Sequence, residues 1–151
     1  MTIGTDDAID KFGTQDPLDD TSASVADDTF SVVGDLVAWV NDDDAGAASA
    51  VLECTFSVAP DANSSVALFA QLNDLVSTSD QLAPTANFQH VYLTSFPVKD
   101  VTSAQFIPQV ISLPNNITSQ SYNFFIQNNA GQTISAGWDL HITPKSIGPH
   151  A

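Results

Sequence analysis

The sequence predicts an all-β protein: an antiparallel β-sandwich, a jelly roll in its specific form, with an extended acidic arm at the N-terminus. Three observations lead there. From residue 29 onward apolar and polar residues alternate with a period of two, the pattern of strands that bury one face. Turn residues interrupt that alternation at short, regular intervals. Helical signal is nearly absent: only Ala45 to Ala50 has helical propensity, over too short a run to carry an apolar stripe.

A chain of 151 residues suits one domain with one core. Residues 1–28 read as the arm, with eight Asp, few large apolar residues and Gly4, Gly13 and Pro17 as breakers. Such a composition buries little surface alone. The arm is therefore expected to order only when docked on a partner, through Ile3, Ile9, Phe12 and Leu18, and its removal is expected to leave the sandwich folded.

The sandwich domain then spans 29–151, with strands expected near 29–40, 48–58, 65–73, 88–98, 105–113, 121–128 and 133–144. Val66, Leu68, Ala70 and Leu72 alternate with Ala67, Phe69, Gln71 and Asn73. Tyr122, Phe124 and Ile126 alternate with Asn123, Phe125 and Gln127, and Trp138, Leu140 and Ile142 with Asp139, His141 and Thr143. Between them stand turns such as Asp42-Asp43-Asp44-Ala45-Gly46, Pro60-Asp61-Ala62-Asn63 and Asn128-Asn129-Ala130-Gly131. Seven or so short strands with regular turns are the mark of a sandwich. The loop from Leu75 to Asn87 is the longest, and long loops tend to carry contacts. No internal repeat points to a solenoid or propeller.

Charge narrows the function. Eighteen acids, all Asp except Glu53, face Lys11, Lys99 and Lys145, with no Arg, for a net charge of −15. Phosphate and base recognition need Lys and Arg, so nucleic acid is not an expected partner. The same charge repels anionic lipid, and no run approaches the ~18 apolar residues of a membrane span, so no membrane partner is expected. The acidity serves either solubility, as in a saline environment, or matching to a basic partner surface. Only 14% of residues are charged, against a usual ~25%. The rest of the surface must be neutral polar, as the run from Asn115 to Ser121 illustrates.

The single cysteine, Cys54, excludes an intrachain disulfide and falls on the apolar side of its alternation, where an inert buried thiol is expected. Met1 to Asp7 lacks the basic start and apolar run of a signal peptide. The sequons at Asn63 and Asn116 then read as chance matches.

Candidate chemistry fails residue by residue. Asp42, Asp44 and Glu53 take the first, third and twelfth positions of an EF-hand spacing, but the required sixth-position Gly is Ala47 and the flanks read as strands. The motif reads as a solvated acidic turn, and no metal or cofactor is expected. His90, His141 and His150 have no zinc-site spacing. There is no G-x-S-x-G elbow and no phosphate loop with a cationic clamp. Few of the acids fall within expected strands, Glu53 and Asp139 among them, a poor start for a paired-carboxylate glycosidase. No catalytic residue is assigned and no enzyme is expected. Trp39 and Trp138 lie in apolar strands and are expected in the core, as are Tyr92 and Phe96 beside Leu93.

The second half is more distinctive. The runs His90-Val91-Tyr92-Leu93-Thr94-Ser95-Phe96-Pro97-Val98 and Ile111-Ser112-Leu113-Pro114, then Asn128-Asn129-Ala130-Gly131-Gln132-Thr133 leading to Gly137-Trp138-Asp139-Leu140, resemble small virion proteins of tailed bacteriophages, the capsid decoration group. The resemblance covers roughly residues 30 to 150. It implies a jelly-roll cement protein on the capsid exterior, made in the host cytoplasm, binding the major capsid protein as a homo-oligomer, commonly a trimer. The arm would anchor it by adding a strand to a capsid edge or lying in a basic groove. A carbohydrate-binding jelly-roll module of a phage fibre is the competing expectation.

Overall fold

The computed structural model describes residues 8–18, 21–73, 84–87, 90–114 and 119–149. Nine strands and no helix occur among them: β1 (Ala8–Phe12), β2 (Asp16–Pro17), β3 (Trp39–Asn41), β4 (Ala47–Cys54), β5 (Ser65–Leu72), β6 (Val91–Pro97), β7 (Gln105–Ser112), β8 (Gln120–Asn129) and β9 (Asp139–Pro149). They form two antiparallel sheets packed face to face, a β-sandwich. The first sheet runs β1-β9-β4-β7, with β2 also on β9; the second runs β3-β8-β5-β6.

The pairing is nested. β5 pairs with β6, β4 with β7, β3 with β8, and β1 with β9, so the chain is one long hairpin about the β5–β6 connection, rolled until its halves lie in two sheets. The cross-pairs of β4 with β9 and β5 with β8 close the roll. Winding of this kind gathers the loops at two ends. One end holds the β3–β4 turn, where Leu113 donates its N–H to Gly46 and Ser119 to Asn41. The opposite end holds residues 55–64 and 130–138, tied by Asp61 N–H to Ala130 and Ser135 N–H to Thr55.

Between the sheets lies the core the alternation predicts. Ala48, Ala50, Leu52 and Cys54 of β4 face inward, as do Val66, Leu68 and Ala70 of β5, Tyr122, Phe124 and Ile126 of β8, and Leu140 and Ile142 of β9. Both tryptophans are buried as expected, and Trp39 packs against Tyr122 and Phe124 at 5.7 and 6.3 Å between ring centroids. Phe96 is fully buried with them.

Four expectations need correction. The strand near 29–40 is broken: Phe30 bridges to Gln127, the chain turns at Val33-Gly34 with Gly34 at φ 94°, and regular pairing starts only at Trp39. The strand expected near 48–58 does form, as β4, because pairing on both sides outweighs the intrinsic helical preference of Ala47, Ala48 and Ala50.

Tyr92 is exposed instead of buried. A bulge between Leu68 and Phe69 takes Leu93 out of register, so Tyr92 opposes Phe69 on the outer face while Phe96 opposes Val66 on the inner. One extra residue reverses the phase of every side chain beyond it. The outer positions of the second sheet are also not solvated. Phe69 and Phe125 are buried beneath Phe30, Tyr92 and His90, with ring centroids 5.6 to 5.7 Å apart.

Residues 8–18 and 21–28 are part of the sandwich and do not stand off from it as an arm. β1 and β2 both pair with β9, and Leu18 and Val25 sit in the core. Burying a tryptophan leaves its indole N–H in need of an acceptor. Trp39 Nε1 donates to Asp16 Oδ2 at 3.0 Å and Trp138 Nε1 to the Ala23 carbonyl at 2.9 Å, so both indoles depend on this segment. Asp35, buried, accepts from the N–H groups of Ala23 and Val32 and fastens the segment to the next loop. Of the proposed docking residues, Ile3 lies outside the described residues.

Removal of residues 1–28 is accordingly expected to destabilise the whole sandwich. Leu18→Ala alone should cost about 2–5 kcal/mol by cavity formation, read as a lower urea midpoint with unchanged slope.

Candidate functional site

In antiparallel pairs, residues directly opposite share a face, so the register determines what the outside of the first sheet presents. One row reads Asp139, Glu53, Phe106; the next Pro17, His141, Val51, Pro108; then Thr143, Ser49, Val110; then Phe12, Lys145, Ala47, Ser112; and at the end Asp10 beside Ile147. This face combines exposed apolar residues with internally paired charges. Phe12, Phe106, Val110 and Ile147 are 63%, 62%, 72% and 74% exposed, where a packed strand would bury such side chains. They are the four most exposed of the twelve large apolar side chains left exposed among the described residues, which makes this face a candidate interaction surface.

The charges on the face answer one another. His141 Nε2 lies 3.2 Å from Glu53 Oε2 and 3.5 Å from Asp139 Oδ2. Asp139 Oδ1 accepts the backbone N–H groups of Leu18 and Leu140, which fixes the carboxylate and leaves its other oxygen toward the imidazole. At the far end, Lys145 Nζ reaches Asp10 Oδ2 at 3.0 Å and lies 5.8 Å from the centroid of the Phe12 ring. Between Val110 and Ile147, above Ala47, runs an open groove of ≈ 440 Å³.

A carboxylate–imidazole–carboxylate cluster can shuttle protons when a nucleophile or bound water faces it within a cleft. Here it lies on a flat sheet face. The nearest thiol, Cys54, follows Glu53 in sequence but points inward, and burial, with Glu53 adding to the effect, pushes its pKa from 9.0 up to about 12. Cys54 is the buried thiol the alternation implies, and its chemistry is that of a core side chain.

The EF-hand-spaced acids are not brought together. Asp42 and Asp44 stay on the β3–β4 turn, which Asn41 clamps by donating Nδ2–H to the Ala45 carbonyl and accepting the Ala45 N–H at its Oδ1, both at 2.9 Å. Glu53 stands near the far end of β4, roughly 20 Å or more away at ~3.3 Å per residue. Among the described residues no group of three or more His, Cys, Asp or Glu could hold a metal ion. His90 stacks on Phe125, and His150 lies outside the described residues. Most of the 75–87 loop and the sequon at Asn116 also lie outside them; Asn63 is in an exposed turn.

Sequence reasoning singled out Phe12 but not Phe106, Val110 or Ile147. The signal was present in β7, where Phe106, Pro108 and Val110 alternate with Gln105, Ile107, Gln109 and Ile111 in an edge strand with one open face. No protein-family model, curated protein or solved structure matches the chain.

The Cys54 environment sets an alkaline limit. The folded thiol stays neutral where the unfolded thiol, near 9.0, ionises. Its stabilisation is therefore complete below pH 9.0 and is lost as pH rises toward about 12. Burial raises the Tyr122 phenol as well, against the opposing hydrogen bond with Asn41, and acts in the same direction. Urea midpoints are expected to fall along this limb, less steeply in Cys54→Ala. Thiol reagents should label the wild-type chain only as it unfolds.

Proposed function

We propose that the sandwich is a jelly roll and that the chain is a virion structural protein, a capsid decoration protein binding the outer surface of a major capsid lattice. The observation that carries this reading is the nested pairing of β1 with β9, β3 with β8, β4 with β7 and β5 with β6. Two sheets wound in this way are the architecture that serves viral capsid and lectin domains.

Fold alone does not choose between those roles; the surface supports the first. A sugar site needs aromatic platforms beside convergent polar groups. The exposed aromatic residues described here, Phe12, Tyr92 and Phe106, lie on three different edge strands of the two sheets and form no row. Acidic side chains instead crowd the loops, with exposed Asp42, Asp43 and Asp44 at one end and Asp27, Asp28, Asp61 and Asp100 on other connections. Such loops suit a basic patch on a capsid subunit. With residues 8–18 and 21–28 committed to the chain's own sheet and core, anchoring falls to these loops.

Purified protein added to heads that lack it is expected to attach saturably, in hundreds of copies, and to delay DNA loss on heating. Because the contact joins acidic loops to a basic surface, attachment should weaken as salt is raised. Absence of attachment at low salt would remove the decoration reading.

A further inference from the structure

We propose that the edge of the second sheet at Phe124 is a binding site for a neutral carboxamide carried on a short apolar stem. The site goes beyond the decoration reading and does not depend on it.

The register leaves one residue of β8 without a partner. In an antiparallel pair every second residue exchanges N–H and C=O bonds with the strand opposite, and the residues between turn those groups the other way. Asn73 N–H bonds the Ser121 carbonyl, so the odd-numbered residues of β8 serve β5. The even-numbered ones face the other edge. There Asn128 donates to the Thr29 carbonyl and accepts from Asp28 N–H, Ile126 accepts from Ser31 N–H and donates to Ser31 Oγ, and Tyr122 stands opposite Trp39. Phe124 lies midway between Ile126 and Tyr122. Residues 32–38 would be its partner, but they leave the sheet at the Val33-Gly34 turn, and Val37 N–H is taken by the Leu18 carbonyl. No hydrogen bond from the described residues reaches the Phe124 backbone on that side, although the residue is only 3% exposed. A buried backbone donor and acceptor left without partners are rare and costly.

The departing segment opens a cavity of ≈ 230 Å³ at that point, walled by Val32, Val33, Leu36 and Val37 and floored by Asn123 and Phe124. Groups facing one edge recur every second residue, about 7 Å apart. With Ser31 and Trp39 in place on either side, the gap takes a single amide unit and no strand.

Charge and valence narrow the ligand. The strands of the second sheet hold no charged residue, and Asp35, the acid of the departing segment, is buried with its oxygens bound to Ala23 and Val32 N–H. An ion would enter without a counter-charge. Among neutral groups, an alcohol carries donor and acceptor on one atom and an ester has no donor. A carboxamide holds an oxygen and an N–H side by side, so it can accept from the Phe124 N–H and donate to the Phe124 carbonyl together. Its second N–H falls to Asn123, whose Nδ2 is committed to Asn73 Oδ1 at 2.9 Å and whose Oδ1 accepts no bond among the described residues. The stem then lies against the valines. A glutamine side chain of a partner protein and a free small amide share this chemistry.

The test titrates the full, nitrogen-labelled chain with butyramide and follows its backbone amide resonances. The Phe124 resonance should move saturably, and its exchange with deuterium should slow about tenfold or more at saturation while those of Tyr122 and Ile126 hold. Butyrate and n-butanol, of the same stem, should leave it in place. Asn123→Ala and Val37→Asp, the latter at a residue 42% exposed, should each weaken butyramide binding about tenfold with unchanged circular dichroism. Val58→Asp, at a residue 56% exposed in a loop, should not. A tripeptide with a central glutamine, acetylated and esterified at its ends, separates the two sources: binding as tight as that of butyramide assigns the site to a protein side chain, and exclusion of the peptide assigns it to a free amide. No saturable shift, an equal response to butyrate or n-butanol, unchanged Phe124 exchange at saturation, or wild-type binding by either cavity variant would each overturn the proposal.

Discussion

Everything in this fold depends on the last strand finding the first. β9 is flanked by β1 and β2 on one side and by β4 on the other, so its partners come from the beginning and the middle of the chain. Residue 8 pairs with residue 149, and that contact has the largest loop to close. The nested pairing sets an order of dependence: β5 and β6 can meet locally, while β1 and β9 have a platform only once the inner strands are placed. A topology so rich in distant pairs should fold slowly for its size.

Two indole N–H groups reinforce the closure. Trp39 and Trp138 supply much of the bulk between the sheets, and an unpaired N–H in that interior would cost about 1–3 kcal/mol. Their acceptors, Asp16 and the Ala23 carbonyl, lie in the acidic first segment. Ser22 reinforces the tie, with Oγ donating to the Trp138 carbonyl and its own carbonyl accepting the Gly137 N–H. The segment is held by acceptors as much as by apolar contact, which is why its scarcity of large apolar residues is a poor guide to its place.

That distinction separates what could be read in the sequence from what could not. Period-two alternation located the paired strands from 48 to 128 closely, because a half-buried strand writes its burial into every second residue, but it placed the last near 133–144 where β9 runs from Asp139 to Pro149. It could not locate what composition leaves unwritten. Residues 1–28 look disordered by their aspartates, yet Leu18, Val25 and two tryptophan acceptors bind the described part of that stretch to the core. Tyr92 and Phe96 share a parity that only a bulge can separate. Phe69 and Phe125 look solvent-facing until Phe30, His90 and Tyr92 are laid over them. The exposed face was legible only in part: β7 sets Phe106, Pro108 and Val110 on one alternation and Gln105, Ile107, Gln109 and Ile111 on the other, so the more polar phase is the one turned toward the other sheet. Assigning it required knowing that β7 ends its sheet.

The contrast between the two sheets then becomes informative. On the second, the outward aromatic residues are covered by the chain itself. On the first, Phe12, Phe106, Val110 and Ile147 stay exposed among the described residues. Charge does not account for the difference, since an acidic chain could solvate this face simply by placing its aspartates there. Instead the aspartates crowd the loops, while on the face Lys145 answers Asp10 and His141 stands between Glu53 and Asp139.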